Sequence, residues 1–307
     1  MKDLLIFGHK SPDTDSVVSS IVMTDLEKKM GNSNAKACRL GNINKETEYV
    51  LNYFAVEAPE LLENVTCGDS VILVDHNSFS QSVCGIEKAK IEKVVDHHCI
   101  SEFSTKEPLF FMSQPVGCTA TILYEIYNIN GYTIDKKIAG LMLSAIISDT
   151  LLLKSPTCTI KDVKAVEALA NIAEIDYKTY GIEMLKAGTD LSDFTAEELI
   201  NIDSKFFTAN NTNIQIAQVN TVSIDDVLKD KEELEVVMNK FISDNNLDLF
   251  MFTITDILNN NSQVIALGNR TDIVEKAYNI TLENNMCFLE GVVSRKKQMV
   301  PVISENA

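Results

Sequence analysis

Four times in the first 150 residues an apolar run gives way within two residues to an Asp or a His, and this recurrence limits the possible folds more than any other feature. Leu4–Phe7 is followed by Gly8-His9 and then by Pro12-Asp13-Thr14-Asp15. Val71–Val74 is followed by Asp75-His76-Asn77, and Lys93-Val94-Val95 by Asp96-His97-His98. The helical run Ala145-Ile146-Ile147 is followed by Ser148-Asp149-Thr150. All four histidines of the chain lie in three of these junctions.

Between the junctions, short apolar runs alternate with longer segments of helical period. Strands are predicted at Leu4–Phe7, Ala35–Leu40, Val71–Val74, Ile91–Val95 and Leu109–Met112. Helices are predicted at Ser16–Lys29, Lys45–Val56, Cys118–Asn130, Asp135–Ile147, Ile160–Ala173 and Tyr177–Ala187. This rhythm implies an α/β domain with a mostly parallel sheet flanked by helices. The stretch 188–193 (GTDLSD) joins a Gly to polar helix-starting residues and is the expected linker. Beyond it, strands at Ile214–Val219, Leu249–Thr255, Val264–Leu267 and Met286–Leu289, with helices at Ile224–Ser243 and Asp272–Tyr278, form a smaller α/β domain with a mixed sheet. The expected division is therefore residues 1–188, a hinge at 189–193, and residues 194–307.

In open α/β sheets, ligands bind just outside the carboxyl ends of the strands, so the junction side chains converge despite their separation in sequence. Five carboxylates brought together there (Asp13, Asp15, Asp75, Asp96 and Asp149) repel one another unless cations compensate them. A set rich in carboxylate oxygen with a few imidazoles suits Mn²⁺, Mg²⁺ or Fe²⁺ better than a structural thiolate zinc site. Its size suggests two ions, with the Asp13-x-Asp15 spacing serving both and one Asp bridging them. Each piece alone has an ordinary reading: Asp15 as the cap of the Ser16–Lys29 helix, or a His after a strand as a hydrogen-bonded structural residue. The joint occurrence favours metal.

Taken together, these junctions resemble the four motifs of the DHH phosphoesterase superfamily. Ser294-Arg295-Lys296-Lys297-Gln298 is similar to the signature of one branch, the family II (manganese-dependent) inorganic pyrophosphatases. The resemblance runs over essentially the whole chain. It implies a hydrolase that splits pyrophosphate at a dinuclear centre of two Mn²⁺ per subunit (Co²⁺ a substitute), between a catalytic DHH domain and a C-terminal DHHA2-like domain that clamps substrate. By motif position His9 and Asp13 would bind one ion, Asp15, His97 and Asp149 the other, and Asp75 both. Asp96 would stand behind the ligands and fix the ring of a neighbouring His. His98 would touch substrate or donate a proton. Lys205, Arg295 and Lys296 would hold phosphate, joined by an additional Mg²⁺ arriving with the substrate. The reaction implied is in-line attack by a water shared between the two ions, with Asp75 and Asp15 among the groups that hold them, and no covalent intermediate. The family's dimers imply a homodimer, and 307 residues leave no room for its inserted nucleotide-sensing domains.

Physical chemistry bears on the C-terminal motif independently. Three consecutive cations in a chain of 27 Lys+Arg and 44 Asp+Glu, net −17, usually form a solvated turn. Pyrophosphate, with three to four negative charges, nonetheless needs a clamp, and Arg295 supplies a bidentate fork. Lys205, by contrast, reads on its own as a surface residue.

Two alternatives stand beside this reading. An oligoribonuclease or cyclic-dinucleotide phosphodiesterase of the same superfamily would usually carry a Gly-rich GGGH-type motif, and the chain has no Gly-Gly pair. A catalytically inactive metal-binding regulatory protein would be expected to lack ligand residues, and none is missing. The acidic balance disfavours nucleic acid as a partner. Seven scattered cysteines without a CxxC pair argue against a disulfide framework or zinc ribbon and read as reduced core thiols. No secretory or membrane-spanning run is recognisable, so a cytoplasmic protein without a membrane partner is expected.

Overall fold

The computed structural model describes residues 2–100 and 103–307. The chain divides into two compact units, residues 1–188 and 189–307.

The first unit is built on a six-stranded sheet, all of whose pairings are parallel. In chain order its elements are β1 (Leu4–Phe7), α1 (Thr14–Lys29), β2 (Ala35–Arg39), α2 (Lys45–Tyr53), β3 (Glu60–Leu61), β4 (Ser70–Val74), β5 (Lys90–Asp96), β6 (Phe110–Ser113), α3 (Thr119–Asn130), α4 (Lys136–Asp149), α5 (Ile160–Ala173) and α6 (Tyr177–Gly188). The strand order is β3-β2-β1-β4-β5-β6. The chain therefore runs outward from β1 in one direction and returns to continue from β4 in the other. In open parallel sheets a reversal of this kind, here between β1 and β4, marks the carboxyl-end position where ligands bind.

Strand alternation divides the core between two faces. Phe7, Val71, Leu73 and Val94 share one cluster with Cys38, Leu40, Val83 and Ile86. The alternate residues Ile6 and Ile72 are fully buried on the other side. Helix α1 packs against β1 and β4, α3 against β5, and α4 against α1, α3 and α5. Every residue of α4 from Ile138 to Ile147 is buried, as expected of a helix that is apolar all round. Its rotation is thereby fixed, and so is the direction of Asp149 at its last position. Gly8 is required where β1 approaches α1: a Cβ there would stand 2.0 Å from Ser16 Oγ and 2.8 Å from Ser16 Cα.

The second unit contains α7 (Ala196–Leu199), β7 (Ser204–Ala209), β8 (Thr212–Thr221), α8 (Ile224–Leu228), α9 (Lys231–Asn245), β9 (Leu249–Asp256), β10 (Asn261–Gly268), α10 (Asp272–Tyr278), β11 (Met286–Glu290), a π-helical turn at Arg295–Met299 and α11 (Val300–Asn306). Its sheet, ordered β11-β10-β9-β8-β7, has one parallel pair, β8 with β9, and antiparallel pairs elsewhere. Ala217, Phe250, Phe252 and Ile265 pack against α7, α8 and α9 on one face. Ile216, Met251 and Ala266 pack with Ile273, Met299 and Ile303 on the other.

Several sequence expectations are corrected. The helix expected at Ile224–Ser243 is two helices, α8 and α9, separated at Lys229-Asp230. Strand β7 and the short α7 were not anticipated. The first helix starts at Thr14, and its cap is Asp13, whose Oδ1 accepts from the Ser16 amide at 2.9 Å. Asp15 therefore does not cap it. The cysteines are all free, but Cys38, Cys118 and Cys287 alone are buried, while Cys67, Cys84 and Cys99 are exposed and Cys158 is half-buried. Among the described residues no helix is long and apolar enough to cross a membrane.

Candidate metal centre

The junction residues meet at the carboxyl edge of the parallel sheet. His9 follows β1, Asp75 follows β4, Asp96 ends β5 with His97 and His98 after it, and Asp149 ends α4. Asp75 is the pivot. Its Oδ2 lies 3.4 Å from His9 Nε2, and its Oδ1 lies 3.4 Å from His97 Nε2 and 3.7 Å from His98 Nδ1. Its backbone is left-handed, φ 58°, a conformation that Asp tolerates better than most residues. It is almost wholly buried.

Two clusters with ligand-like spacing surround it: His9, Asp13 and Asp75, and Asp15, His97 and Asp149. A third combination joins Asp75 to His97 and His98. His9 Nε2 is 3.4 Å from Asp13 Oδ2, and His97 Nε2 is 3.9 Å from Asp149 Oδ2. The rings are oriented for coordination. His9 Nδ1 donates to the Lys10 carbonyl at 2.8 Å and His97 Nδ1 to the Val116 carbonyl at 3.0 Å, so each Nε2 lone pair faces the carboxylates when the ring is neutral. The donor set, two imidazole nitrogens with carboxylates divided about a shared Asp, fits two oxygen-preferring divalent cations.

His98 is set apart from the other ligand candidates. Asp96 Oδ1 accepts from its backbone amide at 3.0 Å and its Nδ1 at 2.9 Å, while Asn77 Nδ2 donates to Asp96 Oδ2. The imidazole is half-exposed and its remaining nitrogen, Nε2, is free of this bond. His76 is a structural histidine: Nδ1 donates to Val74 O, Nε2 contacts Ser82 Oγ at 3.2 Å, and the residue is buried.

Electrostatics shows how much the cluster needs positive charge. Burial pushes the Asp15 carboxyl up to about 7, reinforced by the Asp75 charge. Burial and the neighbouring Asp15 and Asp75 hold Asp149 well above the carboxylate range. For Asp75 burial acts in the same direction, but His9 and His97 outweigh it and keep the group ionised. Burial opposes charge on the two imidazoles, yet Asp13 and Asp75 take His9 up to about 11, and Asp75 and Asp15 take His97 up to about 9. Protons thus occupy places where cations would otherwise balance the carboxylates.

Some residues that build the site were not found from the sequence. Thr119 Oγ1 donates to Asp75 Oδ1 at 3.0 Å, and the Thr119 and Ala120 amides donate to Asp15 at 2.7 and 3.2 Å. Asp15 therefore sits at the positive end of α3, an arrangement that a helix N-terminus favours. Glu46 accepts from Thr14 Oγ1 and Ser148 Oγ, tying the Asp13-Thr14-Asp15 turn to the end of α4. A buried hydroxyl or carboxylate on a helix gives no sequence signal that separates these roles from ordinary solvation.

The three candidate phosphate ligands lie in the second unit. Arg295 bonds Asp203, Nη2 to Oδ1 at 2.8 Å and Nη1 to the carbonyl, which sets its guanidinium beside the start of β7. Lys205 is exposed on β7, and Lys296 is exposed on the π-helical turn. Gln298 holds that turn, accepting from the Val293 and Ser294 amides and donating to the Gly291 carbonyl. Gln218 Oε1 accepts from the Arg295 amide.

Comparison with known proteins agrees with this architecture. Residues 3–146 match the model of the DHH family N-terminal domain, and residues 182–306 match the DHHA2 domain. The chain is 54% identical over 306 residues to the manganese-dependent inorganic pyrophosphatase of Bacillus subtilis, covering 99% of each chain. It is 55% identical over 307 residues to a probable manganese-dependent inorganic pyrophosphatase of Brevibacillus brevis, covering 100% of this chain and 99% of the other. A crystal structure from Methanococcus jannaschii, assigned to the family II inorganic pyrophosphatases, superposes with a TM-score of 0.63 at 39% identity, covering 100% of this chain and 99% of that one. With both domain models matched and its full length shared with such relatives, the chain belongs to the DHH family, in the branch of the manganese-dependent inorganic pyrophosphatases.

Proposed function

We propose that the protein hydrolyses inorganic pyrophosphate to two orthophosphates with two Mn²⁺ held at the sheet edge. The observation that carries this is the division of Asp75, one oxygen toward His9 and the other toward His97. His9 and Asp13 complete one position, and Asp15, His97 and Asp149 the other. When bound, the ions would polarise phosphoryl oxygens and lower the pKa of a water toward neutrality.

The chain's own groups do the rest. The Lys10 and Val116 carbonyls fix the tautomers of His9 and His97. Asp96 orients His98, leaving Nε2 to contact a phosphoryl oxygen or deliver a proton. Lys205, Arg295 and Lys296 supply positive charge for the phosphates. Residues 1–188 serve as the metal-binding catalytic domain and 194–307 as the substrate-binding one, joined through 189–193. Co²⁺ is an alternative occupant, and a further Mg²⁺ accompanies the substrate. A cytoplasmic homodimer without nucleic-acid or membrane partners completes the reading.

The test is phosphate release from pyrophosphate by Mn²⁺-loaded protein, run beside a short oligoribonucleotide and a chelator-stripped control. Rapid, chelator-sensitive turnover of pyrophosphate with the oligonucleotide left intact is the expected result. Cleavage of the oligonucleotide with pyrophosphate spared would overturn the assignment of Lys205, Arg295 and Lys296 while retaining the metal centre.

A further inference from the structure

A fully buried carboxylate, Asp162 on α5, makes no contact with any candidate ligand, yet its bonds converge on the segment that supports three of them. Its Oδ2 accepts from the Gly117 amide at 2.9 Å and from the amide and hydroxyl of Thr159, both at 2.7 Å. Its Oδ1 accepts from Thr121 Oγ1 at 2.6 Å. The Thr159 bonds belong to the capping box of α5. The bonds to Gly117 and Thr121, 45 and 41 residues earlier in the chain, lie outside that box.

Gly117 and Thr121 bracket the turn that leads into α3, and this turn reaches the metal centre through four contacts. The Val116 carbonyl receives His97 Nδ1, the Thr119 and Ala120 amides donate to Asp15, and Thr119 Oγ1 donates to Asp75. The turn is packed closely: a Cβ on Gly117 would come within 2.7 Å of Thr150 Cγ2 and 3.0 Å of Asp162 Oδ2. His9 and Asp13 receive none of these contacts.

We infer that Asp162 is a positioning residue for the metal position formed by Asp15, His97 and Asp149, acting through the Val116–Thr121 turn and leaving the His9–Asp13 position largely untouched. A carboxylate suits this task because all four groups bonded to it donate, and a fully partnered buried network of this kind holds geometry firmly. Groups that orient ligands from behind typically govern metal affinity by about 10 to 100-fold. The inference rests on the proposed dinuclear reading.

The test is titration of the whole, metal-free protein with Mn²⁺, following the free-ion paramagnetic resonance signal, together with thermal melting. Asp162→Asn replaces one acceptor by a donor facing donors, and it is expected to weaken one of two binding steps by at least about tenfold while the other changes little. Thr159→Ala removes the cap hydroxyl but keeps the Gly117 and Thr121 bonds, so it should lower the melting temperature without altering either step. Thr121→Val, which cuts the turn's bond alone, should reproduce the selective loss. Equal binding steps in wild type and both turn variants, or a loss in Thr159→Ala matching that in Asp162→Asn, would overturn the inference. Failure of the wild-type protein to bind two ions would instead overturn the dinuclear reading.

Discussion

Asp75 turns one oxygen toward His9 and the other toward His97, and it does so from a left-handed backbone, φ 58°, immediately after β4. The residue departs from β4 while its amide still donates to the Val95 carbonyl, so the pairing with β5 continues beneath the site. Asp75→Ala should abolish the bridge without opening the sheet. Equilibrium dialysis is expected to show affinity for both Mn²⁺ falling by at least about a hundredfold, with turnover lost in parallel. Retention of two tightly bound ions would mean that the flanking residues suffice. Arg295 is tested separately because it lies in the second unit and its proposed partner is phosphate, not metal. Arg295→Ala should lower kcat/KM for pyrophosphate by about 10²- to 10³-fold, the usual consequence of removing a charge-stabilising donor, with Mn²⁺ content unchanged. Loss of metal in that variant would assign the residue a structural role.

At the level of elements, metal geometry depends on how closely α1 approaches β1. Gly8 permits that approach, since any Cβ would collide with the backbone of Ser16 as well as its hydroxyl. Gly8→Ala should therefore push the start of α1 away, costing about 1–3 kcal/mol of stability by overpacking. It should also widen the His9–Asp13 spacing, read as weaker Mn²⁺ binding in the same titration. A melting temperature and isotherm matching the wild type would show that α1 relaxes freely. The elements that bear the junctions were legible because strand ends and polar stops coincide there: apolar runs of β4 and β5 break directly into Asp75 and Asp96. Strand β7 was not legible, because on an edge its alternation is weak and Phe206 is 53% exposed. Helices α8 and α9 read as one because no Gly or Pro marks the break at Lys229-Asp230. Taken alone, Asp15 also admitted the reading of a local cap, because sequence shows only near neighbours, whereas its partners Thr119 and Ala120 lie more than 100 residues away. Asp162 was hidden for the same reason: within its own helix it completes a capping box, and nothing local reveals its long-range bonds.

On the scale of the molecule, the metal centre is an acidic cluster within a chain of net charge −17, and its protons and cations compete for the same places. Without cations, His9 is held protonated up to about 11 and His97 up to about 9, despite burial, by the carboxylates around them. Burial also lifts Asp15 to about 7 and Asp149 well above the usual range. A divalent ion needs the neutral imidazole and the ionised carboxylate, so binding must expel whatever protons remain. The sign follows directly. At pH 7.5 both imidazoles carry protons, and Asp15, lifted to about 7, retains part of its own. Loading with Mn²⁺ should release about two protons or more, measured by calorimetry in buffers of differing ionisation enthalpy. Apparent affinity should rise with pH from about 7 through about 9. Because bound metal stabilises the folded state by RT ln(1 + c/Kd), where c is the free Mn²⁺ concentration, the gain in melting temperature on adding Mn²⁺ should follow the same course, smallest in acid and largest above pH 9. Proton release near zero at pH 7.5, with a melting gain independent of pH, would show that the carboxylates and imidazoles are already in their metal-ready forms. The cluster's own charge balance would then not govern loading.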